Sequence, residues 1–533
     1  MSLRHAFDSL VVREDRLFGW GWLLDPASPV RRLRLVIEHA DGSVTEVQCQ
    51  PAGHRPDLAE VYPTVAHAAG SGFLMQARLR GPVAGAQARW EVELEDGRQV
   101  SEAIPGFPGG QVSGRGAVSP WRGRWLVARQ LLSQGRPGPL LRRATAMLGR
   151  RLAGWRRRAR ARQAGPEPAA PPWLVFDHAM GGGANHFRDE RVSALRAQGE
   201  AVWLVTPHLP TQTYLVDRDP GGKDDVAAYD SLPALLAALP APSRIVINSL
   251  VSWDDPLQVL DWIHARQQAG TPVTYYLHDY HPACPAWTLV DDTGRYCGIP
   301  PLSRCATCLP NNPAPFLGLM PRLDVGEWRA AWTRVLAAAE QRVAFSQASI
   351  DVLRLAFPGL AGVDVALAPH DTSYIRRDPV APHFDEPLVI AVVGQINRYK
   401  GAGIVREMAA LIDAGGLPAR IVVVGTLDDP PVSPSLRITG PYRAGELPDL
   451  LRRERVGVCL LPSIWHETFS YVTSELMALD MPLAVFDLGA PAERVRGYGR
   501  GCIIPAVEAR AALDAVFALR DRLAPAVPRL DPP

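Results

Sequence analysis

Two carboxylates and a short run of backbone amides stand together near the C-terminal end of the chain. Glu467 and Glu475 lie eight residues apart, between an apolar stretch at 456–461 and helix-like sequence at 472–479. Residues 469–471 would present N–H groups at the helix start, where unpaired amides and the positive end of the helix dipole attract anions. Phosphate on amides, and sugar hydroxyls on carboxylates, together indicate a nucleotide-sugar site.

This pattern resembles the Glu-x7-Glu motif of retaining glycosyltransferases with the two-domain GT-B fold, of the family 4-like type found in bacterial polysaccharide synthesis. The resemblance covers roughly residues 385–505. It implies that Glu467 is catalytic at the donor sugar, that Glu475 binds the ribose and that Tyr442 or Arg443 borders the base. The implied phosphate contacts are the amides of Phe469, Ser470 and Tyr471. The alternative is two solvated glutamates at a helix end.

A second loop, at 394–401, reads Gly-Gln-Ile-Asn-Arg-Tyr-Lys-Gly. In the family this loop carries an Arg just after the first Gly and a Lys just before the second, and both stabilise the donor diphosphate. Lys400 matches, whereas Gln395 departs from the pattern and Arg398 stands close enough to supply the missing charge. We therefore expect Gly394, Arg398 and Lys400 to bind the donor, because fixed positive charge stabilises a departing diphosphate. Surface cations on an ordinary loop are the alternative.

The first half of the chain carries a candidate acceptor side. Three consecutive glycines allow a backbone to approach a diphosphate or an acceptor closely, and the family resemblance puts such a loop at the donor–acceptor junction. These residues are Gly181, Gly182 and Gly183, with Asn185 beside them. His278 follows an apolar strand pattern, where family members often have a histidine near the reacting sugar, so we expect His278 to be a catalytic contact. A buried structural histidine is the alternative.

Four of the seven cysteines fall within 25 residues, at Cys284, Cys297, Cys305 and Cys308. Four thiolates that include one Cys-x2-Cys pair suit a tetrahedral structural zinc ion, which would hold together the loop-like insertion 284–308. An iron–sulfur cluster, and ordinary or redox-active thiols, are the alternatives. The uneven spread of the cysteines argues against a disulfide scaffold.

The hydrophobic pattern predicts the elements that position these residues. Short apolar strands alternate with helices from Trp173 and again from Leu388, which implies two parallel sheets with ligand-binding loops at the carboxyl ends of their strands. We therefore predict an α/β chain with a GT-B fold of two facing Rossmann-like domains. The first, acceptor domain spans 171–380, the second, donor domain spans 381–505, and a C-terminal helix and tail occupy 506–533.

A small β-sandwich-like domain and a basic helical linker are expected to precede them. Residues 1–105 show period-two alternation and Asp-Gly hairpin signals, which favour a small sandwich. In the linker, 106–170, no acidic residue occurs between Glu102 and Glu167 but fourteen arginines do. Its segment 140–163 could form a basic helix that adsorbs to anionic lipid. A solvated linker or a protein contact is the alternative, and no nucleic-acid fold accompanies the charge.

The bulk composition fits a globular chain of several domains, with 533 residues, 47% hydrophobic and 21% charged. No apolar run of transmembrane length is present, and the N-terminus lacks an apolar signal core. These features favour a cytoplasmic protein, peripheral at the inner face of the membrane if residues 140–163 adsorb there.

The sequence thus predicts a hexosyltransferase-like enzyme that moves a sugar from a nucleotide-sugar donor to a glycan or lipid-linked acceptor. Retention of configuration follows from the family resemblance, as does a role in cell-surface polysaccharide or lipopolysaccharide synthesis. No catalytic metal is expected. One alternative is a non-catalytic scaffold that binds glycans or nucleotide-sugars, which the Gln395 departure favours. Another is a phosphorylase- or epimerase-like enzyme on the same fold.

Overall fold

The computed structural model describes residues 3–51, 55–105, 107, 170–178, 180–221, 225–320 and 323–524. The predicted basic helix at 140–163 lies outside the described residues. The chain forms two compact units: the first comprises Met1–Trp287, Ile299–Val343 and Arg354–Ala366, and the second comprises Thr288–Gly298, Ala344–Leu353 and Leu367–Pro533. Among the residues that the structure describes, no helix is long and apolar enough to cross a bilayer.

The N-terminal part of the first unit is a β-sandwich, as predicted. Its elements are β1 (Arg4–Arg13), β2 (Arg16–Leu24), β3 (Val30–Glu38), β4 (Val44–Gln48), β5 (Gln50–Pro51), α1 (Pro56–Val61), β6 (Gly72–Arg78), β7 (Gln87–Leu94) and β8 (Gln99–Ala103). They form two antiparallel sheets, β1-β2-β6-β5 and β4-β3-β7-β8. The fully buried Trp90 of one sheet packs its ring against Phe7 and Phe73 of the other, at 5.4 and 5.1 Å between centroids. Both Asp-Gly signals lie between paired strands, with Gly42 and Gly97 at positive φ.

The rest of the first unit is built on an α/β sheet. Its elements are β9 (Trp173–Phe176), α2 (Gly183–Ala197), β10 (Val202–His208), β11 (Thr213–Asp217), β12 (Val226–Tyr229), α3 (Leu232–Ala238), β13 (Arg244–Ile247), α4 (Pro256–Gln268), β14 (Val273–Leu277), α5 (Leu302–Cys308), α6 (Val325–Ala337), β15 (Gln341–Ala344) and β16 (Ala366–Leu367). The helix α7 (Gln347–Ala356) follows β15 in the chain, and most of its residues belong to the second unit. The strand order is β12-β11-β10-β9-β13-β14-β15-β16. Strands β10, β9, β13 and β14 are parallel, whereas β11 and β12 extend the sheet in antiparallel fashion.

The second unit is built on a six-stranded parallel sheet. Its elements are β17 (Leu388–Ile396), α8 (Ala402–Gly415), β18 (Ala419–Leu427), β19 (Leu436–Ile438), α9 (Leu447–Arg453), β20 (Val458–Leu461), α10 (Tyr471–Ala478), β21 (Leu483–Phe486), α11 (Gly489–Val495), β22 (Gly501–Ile504) and α12 (Ala509–Leu523). The order is β19-β18-β17-β20-β21-β22. Alternate residues of β17 enter two separate hydrophobic clusters. Both faces of the sheet are therefore covered, which explains why its strands read as continuous apolar runs.

Candidate functional site

Glycines let two neighbouring strand ends of the second sheet lie unusually close. Gly394 of β17 pairs in register with Gly425 of β18, and a Cβ at Gly425 would lie 2.0 Å from the Gly394 carbonyl oxygen. Both residues have positive φ, at +119° and +135°. No described atom lies within 4 Å of a Cβ built at Gly394, so that position has an open side. The strand β17 continues to Ile396, so Gly394 lies inside the strand rather than in the loop that follows it.

The loop that carries Lys400 is fixed by its own backbone. The side-chain oxygen of Asn397 accepts hydrogen bonds from the N–H groups of Tyr399 and Lys400, both at 3.0 Å. Gly401, at φ +87°, begins α8, and a Cβ there would lie 2.0 Å from the carbonyl oxygen of Pro462. Only glycine therefore allows the loop after β17 and the loop after β20 to lie against each other at this point.

The carboxylate of Glu467 is the centre of the polar contacts in these two loops. Its Oε2 lies 2.7 Å from Lys400 Nζ, and its Oε1 accepts a hydrogen bond from the Ser463 hydroxyl. The backbone is held as well, because Ala490 N–H donates to the Glu467 carbonyl at 2.9 Å and a Cβ at Gly489 would lie 2.5 Å from that same oxygen. Glu467 is only 4% exposed. Its carboxylate is therefore oriented by protein groups alone.

The start of α10 is held from the side by Arg494 of α11. Ser470 precedes the helix with φ +74°, and its own side chain makes no capping hydrogen bond. The Arg494 guanidinium donates to the Ser470 carbonyl at 3.1 Å and to Ser474 Oγ at 2.7 Å, and it lies 4.9 Å from the ring centroid of Phe469. One cation therefore fixes the carbonyl, the hydroxyl and the ring that surround the predicted phosphate amides.

Glu475 and Tyr442 lie in a partly buried environment and interact electrostatically. Burial raises the pKa of the Glu475 carboxyl to about 7. Burial raises the pKa of the Tyr442 hydroxyl as well, and the negative charge of Glu475 adds to that shift. The structure thus brings together two of the residues that the sequence placed at the nucleoside.

A cluster of rings packs on the first residue of α10. The Tyr471 hydroxyl and His370 Nδ1 are 3.0 Å apart, and the imidazole stacks on Phe345 with 3.9 Å between centroids. The Phe469 ring lies 4.6 Å from the same imidazole. The side chains of Phe469 and Tyr471 are therefore both engaged in packing at the start of α10.

Three parallel strands of the first unit end in polar residues at one edge of the sheet. Asp177 follows β9, Asn248 follows β13 and His278 follows β14. His278 Nε2 and Asn248 Oδ1 are 3.0 Å apart, and the Phe187 ring meets the imidazole at 5.0 Å, edge to face. Asp279 accepts from Ser249 Oγ at 2.7 Å. Asn248 is therefore a polar partner that orients the His278 ring.

The glycine run of the first unit is anchored at its base by Asn185. The Asn185 amide group donates to Asp177 Oδ2 at 2.8 Å, and its oxygen accepts from Gly181 N–H at 2.6 Å. Arg188 also binds Asp177, at 2.9 Å, while burial raises the pKa of that carboxyl to about 6. Gly181 and Gly182 have φ of +81° and +87°, and a Cβ at either would meet no described atom within 4 Å. The last glycine of the run, Gly183, is the first residue of α2.

The four clustered cysteines do not form the predicted zinc site. Among the residues that the structure describes, which include all four, no group of three or more metal-ligating side chains could hold a metal ion. Cys305 is buried in an apolar cluster, which raises its thiol pKa, and Cys284 packs against the same cluster. Cys308 Sγ accepts from Asn312 at 3.4 Å. Cys297 belongs to the second unit. The physical reason is that two of the thiols, those of Cys284 and Cys305, pack with apolar side chains instead of converging on a common point.

Sequence reasoning missed several of these contacts. Asp177 and Asn248 each end a predicted strand, so their position at the carboxyl edge of a parallel sheet was a usable signal. Ser463 stands four residues before Glu467, and this short spacing could also have indicated a contact between the two side chains. Arg494 carried no signal, because it lies 20 residues after Ser474, on another helix. Its role depends on how α11 packs beside α10.

Comparison with known proteins gives one family match. Residues 387–521 match the family model described as "Glycosyl transferases group 1". The match covers the second sheet with α12 and supports a glycosyltransferase activity for this part of the chain. No curated protein sequence matches the chain.

Several solved structures resemble the fold at low identity. Sucrose-phosphate synthase from Thermosynechococcus elongatus is 16% identical, with a TM-score of 0.44, covering 66% of this chain and 90% of that one. The Anabaena protein Alr3699/HepE in complex with UDP is 15% identical, with a TM-score of 0.41 and coverages of 66% and 91%. Starch synthase IV from Arabidopsis thaliana, bound to ADP and acarbose, is 9% identical, with a TM-score of 0.37 and coverages of 66% and 92%. TM-scores of this size support no inference, so the fold and the candidate site rest on the topology and contacts above.

Proposed function

We propose that the second unit binds a nucleotide-sugar and that the protein transfers the sugar to a glycan or lipid-linked acceptor. The observation that carries this proposal is the Lys400–Glu467 pair at the carboxyl edge of the second sheet. A buried carboxylate beside a half-exposed lysine can serve a sugar and a diphosphate at adjacent positions. The family match over 387–521 points to the same chemistry.

The roles we assign follow from charge and position. Lys400 and Arg398 would neutralise the diphosphate as the glycosidic bond breaks, because fixed cations aimed at developing negative charge lower the barrier. Glu467 would accept hydrogen bonds from hydroxyls of the donor sugar. The backbone amides at 469–471 would contact phosphate, since they open a helix whose carbonyl and ring contacts are fixed by Arg494.

Glu475 and Tyr442 would contact the nucleoside. A carboxylate accepts hydrogen bonds from ribose hydroxyls when it is ionised, so the raised pKa of Glu475 makes this contact depend on pH near neutrality. In the first unit we assign the glycine loop, Asn185 and His278 to the acceptor side. His278 would be a polar contact for the reacting sugar, held by Asn248 at 3.0 Å.

We further propose retention of configuration through attack on the face that the leaving diphosphate vacates. None of the side chains assigned here is placed as a nucleophile, and the cations above would assist the departing group. Synthesis of a cell-surface polysaccharide, and adsorption of residues 140–163 to anionic lipid at the inner face of the membrane, are proposals from the sequence.

The test is release of nucleoside diphosphate from UDP-, GDP- and ADP-glucose, with and without a glycan acceptor. Release that needs the acceptor supports transfer. Release that needs inorganic phosphate supports a phosphorylase instead. Arg510, exposed on α12, provides a charge-matched control in the variant Arg510→Ala.

A non-catalytic scaffold is the second candidate, favoured by one observation. Gln395 occupies the loop position where the family carries an arginine, and it is exposed. A chain that binds a nucleotide-sugar but releases no diphosphate under any of these conditions would support the scaffold. The variant Gln395→Arg then tests whether the missing charge is the cause.

A further inference from the structure

A hairpin that follows β14 in the chain belongs to the second unit. Residues Thr288–Gly298, here called the 288–298 hairpin, cluster with that unit. Val290 and Tyr296 pair as an antiparallel bridge. The Asp291 carboxylate accepts from the N–H groups of Thr293 and Arg295, at 2.9 and 3.1 Å. The turn is therefore held by its own hydrogen bonds.

The 288–298 hairpin touches both loops of the candidate donor site. The Tyr296 ring stacks on His466, with 5.2 Å between centroids and 29° between planes. His466 is 8% exposed and directly precedes Glu467. At the turn, a Cβ built on Gly294 would lie 3.7 Å from a terminal nitrogen of Arg398. The same short segment thus stacks on the residue beside the sugar carboxylate and comes close to a cation assigned to the diphosphate.

The stack joins two neutral rings. Burial lowers the pKa of the His466 imidazole to about 4 and raises the pKa of the Tyr296 hydroxyl to about 12, so neither ring carries charge near neutral pH. Offset stacking between such rings is favourable beyond the area it buries. The backbone of Glu467 is fixed on its other side by Ala490, and the Tyr296 stack adds a restraint on the His466 side.

We propose that Tyr296 is a positioning residue of the donor site, which holds His466 and, through the adjoining peptide, sets the Glu467 carboxylate against the donor sugar. This inference rests on the proposed function. It predicts that the 288–298 hairpin affects binding of the sugar half of the ligand. The nucleoside half is assigned to Glu475 and Tyr442 instead.

The experiment compares two ligands by calorimetry: the nucleotide-sugar that the wild-type chain binds among UDP-, GDP- and ADP-glucose, and the corresponding free nucleoside diphosphate. We expect Tyr296→Ala to weaken the nucleotide-sugar about 2- to 10-fold, the size of an aromatic pair, and to change the free diphosphate less than about 2-fold. Tyr296→Phe keeps the ring and should bind the two ligands with the wild-type ratio of affinities.

Phe517→Ala removes an aromatic ring from α12, where Phe517 packs against the core of the second unit. It should lower stability without changing the ratio of the two affinities. If Tyr296→Ala does not fold, Tyr296→Leu removes the aromatic face while keeping apolar volume. The ratio of the two ligand affinities is then measured on Tyr296→Leu.

Equal weakening of both ligands, or no weakening of either, would overturn the positioning role while leaving the proposed donor site intact. A wild-type chain that binds the free diphosphate but gains nothing from the sugar would also overturn it. A wild-type chain that binds none of the ligands would instead refute the proposed function itself, and with it the inference about Tyr296.

Discussion

Lys400 Nζ lies 2.7 Å from Glu467 Oε2, so the side chains that we assign to the diphosphate and to the donor sugar form an ion pair. The lysine side chain is 36% exposed, whereas the glutamate side chain is 5% exposed. Removing the cation would leave a buried carboxylate without a charged partner, which is costly. The pair therefore links donor binding to the integrity of the two loops that surround it.

Lys400→Ala should lower kcat about 10²- to 10³-fold, the loss typical of removing one group that stabilises transition-state charge. The measurement is steady-state release of nucleoside diphosphate. Arg510→Ala removes an exposed cation from α12 of the same unit and should leave kcat unchanged. An equal loss in both variants would point to general electrostatics rather than to a specific contact.

Arg494→Ala should destabilise the second unit by about 1.5–3 kcal/mol, because the hydrogen bonds to Ser470 and Ser474 involve a charged donor. Donor affinity should fall too, since the loop before α10 loses its support. Chemical denaturation and calorimetry measure the two effects. Arg494→Lys keeps the charge but cannot reach both oxygens with one planar fork, so it should recover only part of each. Full recovery with lysine would contradict the bidentate role.

The stability of the second unit should depend on pH through Glu475. Burial raises its folded-state pKa to about 7 from an ordinary value of 4.5, so between these values the folded state binds more protons than the unfolded state. Stability should therefore fall as pH rises through this window. Denaturation of the wild type and of Glu475→Gln from pH 5 to 8 tests the sign, since the neutral amide should flatten the slope. A wild-type slope that the variant leaves unchanged would mean that another group is responsible.

Donor affinity should show the opposite trend across the same window, because the ionised form of Glu475 accepts the ribose hydroxyls. Affinity should rise with pH up to about 7 and then level. Calorimetry with a nucleotide-sugar at several pH values measures it. In Glu475→Gln the rise should disappear. A pH-independent affinity in the wild type would remove Glu475 from the ribose contact.

Arg16 should be a principal contact between the sandwich and the α/β sheet of the first unit. It is buried and donates to the Tyr214 hydroxyl at 2.9 Å and to Asp254 at 3.1 Å. Arg16→Ala leaves the Asp254 carboxylate without this cation and should cost about 3–5 kcal/mol. Arg13→Ala breaks a pair with the exposed Asp230 and should cost under about 1 kcal/mol. The denaturation midpoints of the two variants measure these losses. Similar losses of stability in both would contradict the larger contribution assigned to Arg16.

Much of the fold could be predicted because it depends on local features of the sequence. The apolar run from Leu388 to Val393 fits a strand covered on both faces, and the structure buries it on both. The Asp-Gly turns of the sandwich could also be predicted from the sequence, since positive φ at the glycine is a local requirement. The antiparallel strands β11 and β12 were not predicted, because their pairing is decided by neighbours in the sheet.

The site divides in the same way. Lys400, Glu467 and Glu475 could be proposed from the sequence because a family pattern and strand ends marked them, and the structure brings Lys400 and Glu467 together. Arg494 and Tyr296 could not, since each acts through a contact with a residue far away in the chain. The cysteines show the reverse error, because spacing alone suggested a metal whereas Cys305 packs with Ala286 and Leu309. Ligand-like spacing does not specify which side chains the fold brings together.

The most direct test of the donor site is saturation-transfer NMR of the full chain with UDP-, GDP- and ADP-glucose. The account predicts that one nucleotide class gives transfer to both its sugar and its ribose protons, that Lys400→Ala weakens the signal and that Arg510→Ala keeps it. No transfer from any ligand, or a signal that Lys400→Ala leaves unchanged, would contradict a nucleotide-sugar site at the Lys400–Glu467 pair.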